Sequence, residues 1–413
     1  MMSDSIWKSI DRMEKSRYGK MECMEVTDVV IVGGGLCGLL CAWFLKDAGV
    51  DCILIEKDRI AGGTGKDAMA QVTSQHGLIY SQLLERDGEE KARMYLQANE
   101  LAIEKYRELS KHIDCDFEET SAFVYSKDDR AAIEKEVEVV NRLGLKAEFC
   151  ETTELPFDVA GAIRFPGQAQ LNPAKFMDGL VKDLEQCKNI HLFEDVLIDD
   201  WLKRMVWCRT RVTVAEQVIC TTHFPFYKKL GKYDNKMHLE QASILALEHT
   251  GQMKGMYTDA DREGLSFRSY GDLLLMAGER HKVKSRREGT DSGFKKLREE
   301  AAQYYPDARE VAHWNVADCI SLDGIPYIGK YAAKAPLFYV ATGFNGWGMT
   351  SAMAGAMLVT DMILKDRAGE EGTSYPWGEV FSPERKVLLP QYFSNIKDNI
   401  SDKFASRRHK VKK

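Results

Sequence analysis

The chain has 413 residues, 44% of them apolar and 29% charged, with 57 basic against 63 acidic side chains and a formal net charge of −6. A single hydrophobic core stops growing beyond roughly 250–300 residues, so two domains are expected. The average composition excludes wholesale disorder, and the acidic balance excludes a general nucleic-acid binder.

In chain order, residues 1–25 form a polar arm of mixed charge that does not read as a signal peptide. Residues 29–32, Val-Val-Ile-Val, are a β-branched run expected of a strand buried on both faces. Gly-Gly-Gly-Leu-Cys-Gly follows at 33–38, then helical apolar spacing to Ala48 with Gly49 as its stop, then a second strand over 52–55 ending at Glu56. One long amphipathic helix is expected over 86–113 and another over 129–143, closed by Gly144. Asn172-Pro173 opens a helix over 174–186, with Pro near its first turn. Short strands are expected over 190–198 and 217–220, whereas 201–214 carries no clear pattern. Strands at 243–248, 265–270 and 273–277 are followed by a helix over 294–304 and a buried strand over 337–341. A glycine-rich loop then leads into a last helix over 349–365, which is too short and polar to span a membrane. The 366–413 extension ends in a basic tail from Arg407, expected to be disordered.

The ten cysteines form no Cys-x-x-Cys pair, and no Cys/His cluster has zinc spacing. Reduced structural thiols, a cytoplasmic location and no metal site are the expectation.

Gly33-x-Gly35-x-x-Gly38 lies between a buried strand and a helix, and the acidic Glu56 ends the next strand 18 positions after Gly38. That context makes it a dinucleotide-binding fingerprint. Gly33 permits the tight turn, Gly35 lets the backbone approach a pyrophosphate, and Gly38 lets helix and strand pack closely. The helix N-terminus favours phosphate, and Glu56 suits ribose hydroxyls while repelling a 2′-phosphate. Two further segments favour a flavin over a nicotinamide dinucleotide. One is the small, hydroxylated stretch 62–77, with Thr64, Gly65, Ala70, Gln71, Val72 and Thr73. The other is 341–350, where Gly343, Asn345, Gly346, Trp347, Gly348, Met349 and Thr350 join a buried strand to the last helix. A helix N-terminus there would stabilise the negative charge of a reduced flavin.

With these segments, residues 26–365 resemble the D-amino acid oxidase-like superfamily of FAD-dependent oxidoreductases, which includes glycine oxidase, sarcosine oxidase and γ-glutamylputrescine oxidase. Residues 218–225, Val-Ile-Cys-Thr-Thr-His-Phe-Pro, are similar to the family's strand returning to the cofactor domain, and 318–329 contain its Asp-Gly-x-Pro-x-Ile-Gly segment. Residues 72–80 look most like a branch that often carries a C-terminal Rieske domain. Nothing after Cys319 is a cysteine, so no Rieske cluster is expected in this chain.

The resemblance implies an α/β fold. A Rossmann-like FAD-binding domain with a parallel central sheet, from 26–85, 160–225 and 318–365, interleaves with a mixed-sheet α+β substrate domain from 86–159 and 226–317. It adds Leu36, Cys37, Lys57, Ile198, Thr221 and Thr222 to the cofactor contacts, and Lys66 and Asp67 stand where some members attach flavin through His, so the FAD is expected to be non-covalent. The implied activity is oxidation of a C–N bond in an amine or amino acid by hydride transfer to flavin N5, with dioxygen or an electron-acceptor protein taking the electrons. An electron-transfer flavoprotein subunit and a flavin-binding protein with little turnover stay open as alternatives. Arg268 is the first candidate for a substrate carboxylate, ahead of Arg164 and Lys282, while His76 and Trp347 are expected beside the flavin.

Overall fold

The computed structural model describes residues 5–7, 18–19, 25–198, 200–202, 204–208, 211–283 and 291–387; the basic tail and most of the N-terminal arm lie outside them. In chain order the elements are β1 (Glu25–Val32), α1 (Leu36–Lys46), β2 (Cys52–Ile55), β3 (Gln71–Val72), α2 (Ile79–Asp87), α3 (Glu89–Leu109), β4 (Glu118–Ser126), α4 (Arg130–Leu143), β5 (Glu148–Cys150), β6 (Gly161–Gln170), α5 (Pro173–Glu185) and β7 (Ile190–Phe193). There follow β8 (Asp200–Leu202), β9 (Met205–Cys208), β10 (Arg211–Cys220), α6 (Tyr233–Lys236), β11 (Met237–Glu248), β12 (Met256–Asp259), β13 (Ser266–Tyr270), β14 (Leu273–Val283), α7 (Asp291–Tyr304), β15 (Arg309–Ser321), β16 (Tyr327–Lys330), β17 (Phe338–Thr342) and α8 (Gly348–Ala368).

The first sheet runs β16-β17-β10-β1-β2-β7 with β9 and β8 added beside β10; the pairs from β17 to β7 are parallel, and β16 with β17, β9 with β10 and β8 with β9 are antiparallel. β1 shows why the sequence reads as doubly buried. Val29 and Ile31 join the core under α1, α5 and α8, whereas Val30 and Val32 join a second core of Trp201, Tyr227, Tyr331 and Phe338. Alternate side chains on a strand face opposite ways, so both sets must be apolar. The second sheet runs β15-β11-β14-β13-β12-β4-β6-β3 and is antiparallel apart from β12 with β4.

Several stretches differ from the sequence-based expectation or fill what it left open. The helix expected over 86–113 is α3, shorter at both ends, and Gly88 at φ 87° separates it from α2, a helix not among those expected. The unpatterned 201–214 stretch forms the β8–β9 hairpin and the start of β10, all within the first sheet, and Trp201 and Val206 join the core on one of its faces. Of the segments assigned to the cofactor domain, β3, β6 and part of β15 pair into the second sheet, and α3, assigned to the substrate domain, packs on α8. Among the described residues no helix is long and apolar enough to cross a membrane, and no group of three or more His, Cys, Asp or Glu could hold a metal ion.

Candidate functional site

A cavity of about 540 Å³ runs from the C-terminal end of β1 to the open face of the second sheet. The position suits a ligand, since parallel sheets bind at the carboxyl ends of their strands. Gly33 takes φ 113°, and a Cβ there would meet the Thr221 carbonyl oxygen at 2.8 Å. Thr221 Oγ1 in turn donates to the Val32 and Gly33 carbonyls. A Cβ on Gly38 would lie 1.9 Å from the Gly33 carbonyl oxygen, so only glycine lets α1 pack this close to β1. Gly35 is the opposite case: a Cβ would meet nothing within 4 Å, and this bare backbone faces the cavity beside Leu36 and Cys37.

Glu56 ties the glycine loop to β2. One carboxylate oxygen accepts from Gly34 N (2.8 Å), the other from Asp58 N (2.9 Å), and the side chain still borders the cavity with Lys57. Each carboxylate oxygen keeps a further acceptor site for a ribose hydroxyl. Two helix N-termini open on the same space. Neither α1 nor α8 has a side-chain cap or an acidic residue in its first turn, so both present free N–H groups and positive partial charge. Val196 and Ile198 add apolar wall, and Gln241 on β11 lines the cavity with its buried Nε2 lacking a hydrogen-bond partner among the described residues. An acid for a ribose, one helix end for a pyrophosphate and a second for an electron-rich ring match the parts of FAD.

The loop between β2 and β3 is pinned by three side chains that donate to its carbonyls. Trp314 Nε1 reaches Asp67 (2.8 Å), Trp7 Nε1 reaches Ala68 (3.2 Å), and Arg268 Nη1 reaches Ala70 (2.9 Å). Thr64, Gly65, Met69 and Gln71 on this loop line the cavity. Ala70, Val72 and Thr73 stand behind it. Val72 pairs with Ala169, and the Thr73 carbonyl accepts from Thr350 Oγ1 (3.1 Å).

His76 is also behind the wall. Its Nε2 lies 2.8 Å from the Thr73 carbonyl and its Nδ1 2.6 Å from the Tyr95 hydroxyl, which assigns the proton to Nε2. Burial pulls its pKa down to about 3, so the ring is neutral. It stacks at 4.8 Å and 12° on Trp347, and Trp347, with Gly346, Gly348 and Met349, does line the cavity. Gly343 and Asn345 shape this loop from outside. Asn345, at φ 60°, accepts from Ser321 N (2.8 Å) and donates to the Gly343 carbonyl (2.8 Å). Ile198, Thr221 and Thr222 line the far end.

The three basic candidates for a substrate carboxylate are placed elsewhere. Arg268 is fully buried, bonded to the Ala70 and Leu171 carbonyls and stacked over Trp7 and Tyr270. Arg164 pairs with Glu148 and Ser121, and Lys282 is exposed on β14. The cation that borders the cavity beside α8, away from Lys57 and Arg59 near β2, is Arg280, which makes no hydrogen bond or ion pair with any described residue. Its Nη1 lies 3.0 Å from where a Cβ on Gly346 would sit, at the mouth of α8. A β-bulge puts it there: Gln241 pairs with His281 but Ser243 with Gly278, so β14 carries an extra residue, with Glu279 at φ 54°. Bulges re-aim side chains in this way beside active sites. Asp318 and Glu240, also unnamed by the sequence, share this end of the cavity.

A family model described as FAD dependent oxidoreductase (DAO) matches residues 28–362. A protein of Bacillus subtilis (strain 168) named for a Rieske 2Fe-2S iron–sulfur centre, YhfW, is 29% identical over 376 residues, covering 88% of this chain and 72% of that protein. Among solved structures, glycine oxidase from Geobacillus kaustophilus superposes with a TM-score of 0.73 at 18% identity, over 88% of this chain and all of that one. L-Proline dehydrogenase from P. horikoshii also reaches 0.73, at 16% identity, over 88% of this chain and 98% of that one. L-Amino acid deaminase from Proteus vulgaris reaches 0.67 at 15% identity, over 90% of this chain and all of that one.

Proposed function

The chain belongs to the FAD dependent oxidoreductase (DAO) family and uses FAD, and we propose that it oxidises the C–N bond of an amino acid whose carboxylate is held by Arg280. The observation that carries this reading is the Arg280 guanidinium at the cavity end beside α8, without a hydrogen-bond or ion-pair partner among the described residues, because a planar fork of donors suits a carboxylate in two-point contact. The names of the three structural neighbours, each with an amino acid in it, support the substrate class. Bound non-covalently in the cavity, FAD supplies the hydride acceptor. The protein's share is positioning. Arg280 anchors one end of the substrate, Gly346 gives it room, and Trp347, braced from behind by neutral His76, walls the space. No side-chain nucleophile is required.

The test is anaerobic bleaching of the flavin absorbance by amino acids and by the matching amines that lack the carboxylate. Amino acids should bleach it, the amines should do so poorly, and Arg280→Met should cost roughly 100-fold in the rate for amino acids, as expected for two charge-assisted hydrogen bonds. Equal bleaching by the amines, or an unaffected Arg280→Met variant, overturns the reading.

A row of rings favours a protein as electron acceptor over dioxygen. Trp347 stacks on His76 at 4.8 Å, His76 meets Tyr95 at 5.6 Å, Tyr95 meets Phe381 at 5.6 Å, Phe381 meets Trp377 at 6.0 Å, and Trp377 meets the half-buried Tyr375 at 4.8 Å. The row runs from the cavity wall to the surface just after α8. Under this second reading Trp377→Leu slows reoxidation by a protein acceptor such as cytochrome c and leaves reoxidation by air unchanged; equal effects on both acceptors refute it.

A further inference from the structure

β11 and β15 run antiparallel with Glu240 directly opposite Asp318, and both carboxylates border the cavity. Like charges facing one another across strands repel, so each needs a compensating partner. Glu240 has two: His238 Nε2 at 2.7 Å and Arg262 Nε at 3.0 Å. Burial alone would raise Glu240, but these partners hold it down at about 2. Asp318 has no ion pair with any described residue. Its Oδ1 accepts from Cys319 N at 2.7 Å, and its Oδ2 lies 3.9 Å from the point where a Cβ on Gly346 would sit. Arg280 Nη1 is 3.0 Å from that same point, yet the two side chains form no ion pair with each other. A cation and an anion therefore flank one small space without closing on each other.

Resting on the amino-acid reading above, we propose that Asp318 receives the ammonium group of the substrate and accepts its proton, so that the site reads an α-amino acid by both of its charges. A carboxylate alone would satisfy Arg280 but face Asp318, and an amine alone would meet the reverse. An α-amino acid carries both charges on one carbon and spans only a few ångströms, which fits the gap. Loss of a hydride from that carbon requires a free lone pair on nitrogen. One ammonium N–H bond breaks, an O–H bond forms on Asp318 Oδ2, and the N–H electron pair stays on nitrogen; no electrons pass to or from the protein in this step.

The groups facing Asp318 are Arg280 on β14, Glu240 on β11 with its partners His238 and Arg262, and, further along these strands, Lys282 and His281. Burial raises Asp318 to about 6, the Cys319 and Gly346 backbone N–H groups and the two arginines opposing it only in part. The carboxylate is thus ionised above that pH and lost as a partner below it.

The experiment measures binding to the FAD-loaded enzyme by calorimetry. The probes are α-aminoisobutyrate, which has no α-hydrogen and cannot be oxidised, and isobutyrate, which lacks the amine. At about pH 8 the wild type should prefer α-aminoisobutyrate by roughly 30-fold, the scale of one charge-assisted hydrogen bond to an ion. The preference should shrink to about threefold or less near pH 5, and at both pH values in Asp318→Asn, which keeps the acceptor for Cys319 N. Flavin absorbance and melting temperature confirm that the variant is folded, and the wild-type pH arm needs no variant. A preference that survives in Asp318→Asn, or that ignores pH in the wild type, overturns the proposal. A pH dependence that persists in Asp318→Asn belongs to another group and overturns it as well. If amino acids bleach the flavin while the preference is unaffected, this inference fails and the proposed function stands. If no amino acid bleaches the flavin and neither probe binds, both fail.

Discussion

Replacing Arg268 with alanine separates a residue that braces the cofactor loop from one that binds substrate. The guanidinium makes three hydrogen bonds to the Ala70 and Leu171 carbonyls and lies over two rings, with its centre 5.7 Å from Trp7 and 5.9 Å from Tyr270. Its removal strands two buried carbonyls at about 1–3 kcal/mol each and loses stacking of about 2 kcal/mol. Against this, burial holds the Arg268 pKa down at about 10, so removing the buried charge returns about 3 kcal/mol. The net loss is about 3 kcal/mol, or roughly 3–6 °C in Tm for a chain of this size. One of three pins on the loop is lost, so FAD should also bind roughly tenfold more weakly. Thermal unfolding with and without excess FAD, and fluorescence titration of FAD into the apoprotein, measure both effects. With FAD saturating, the KM for amino acids should be unchanged. A variant with wild-type Tm and FAD affinity but a raised KM for carboxylate substrates would refute this account and return Arg268 to the substrate.

Gly38→Ala should purify colourless, because the added methyl cannot coexist with the Gly33 carbonyl at 1.9 Å; a yellow preparation with wild-type FAD content would contradict the packing. His76 binds fewer protons folded than unfolded, since burial pulls it to about 3 whereas a free imidazole titrates near 6.5. Its contribution is therefore complete above about pH 6.5 and lost as the pH falls toward 3, and His76→Gln should flatten that limb of stability between about pH 7 and 4 in denaturant titrations; identical slopes would refute it. Arg385 grips Asp323 with two hydrogen bonds, at 2.7 and 2.9 Å, and lies 3.8 Å above the Tyr327 ring. Arg385→Ala should cost about 3–5 kcal/mol and raise hydrogen exchange over Pro376–Phe381, with Asp323→Ala behaving alike and the double variant no worse; additive losses would show that the two act separately.

What was legible in the sequence is what neighbouring residues encode. α4 has its cap in Asp129, whose side chain accepts from Ala132 N, and its stop in Gly144 at φ 104°, both adjacent to the helix. α5 is equally local, with Asn172 accepting from Ala174 N and Lys175 N. α2 has no such signal. Leu78 stands at its cap, and the acceptor for Tyr80 N and Ser81 N is the buried carboxylate of Glu136, more than fifty residues away on α4. No pattern around residue 79 announces a cap supplied from another helix. Trp7 is similar: it lies in a polar arm, and only the folded chain places its indole against Ala68 and Arg268.

The two ends of the cavity differ for the same reason. The cofactor end is built largely from one contiguous unit, β1 to Glu56, in which the spacing of glycines relative to a strand and a helix already states the geometry. The proposed substrate end is assembled from β11, β14 and β15 with the loop before α8, so its residues meet only through strand register. Alternation along a strand can place a side chain on one face or the other, provided that the register is unbroken. In β14 it is broken at Glu279 and Arg280, and a backbone with φ 54° at a glutamate leaves no mark in the sequence. Arg268, on a regular strand with well-formed apolar neighbours, is therefore the arginine that sequence reasoning selects, and regular packing is what buries it. Arg280 reaches the cavity because its strand is irregular. A substrate-binding cation has to be held in a wall without being consumed by it, and a bulge meets that requirement: it turns the side chain out of the ladder while hydrogen bonding on either side keeps the backbone fixed.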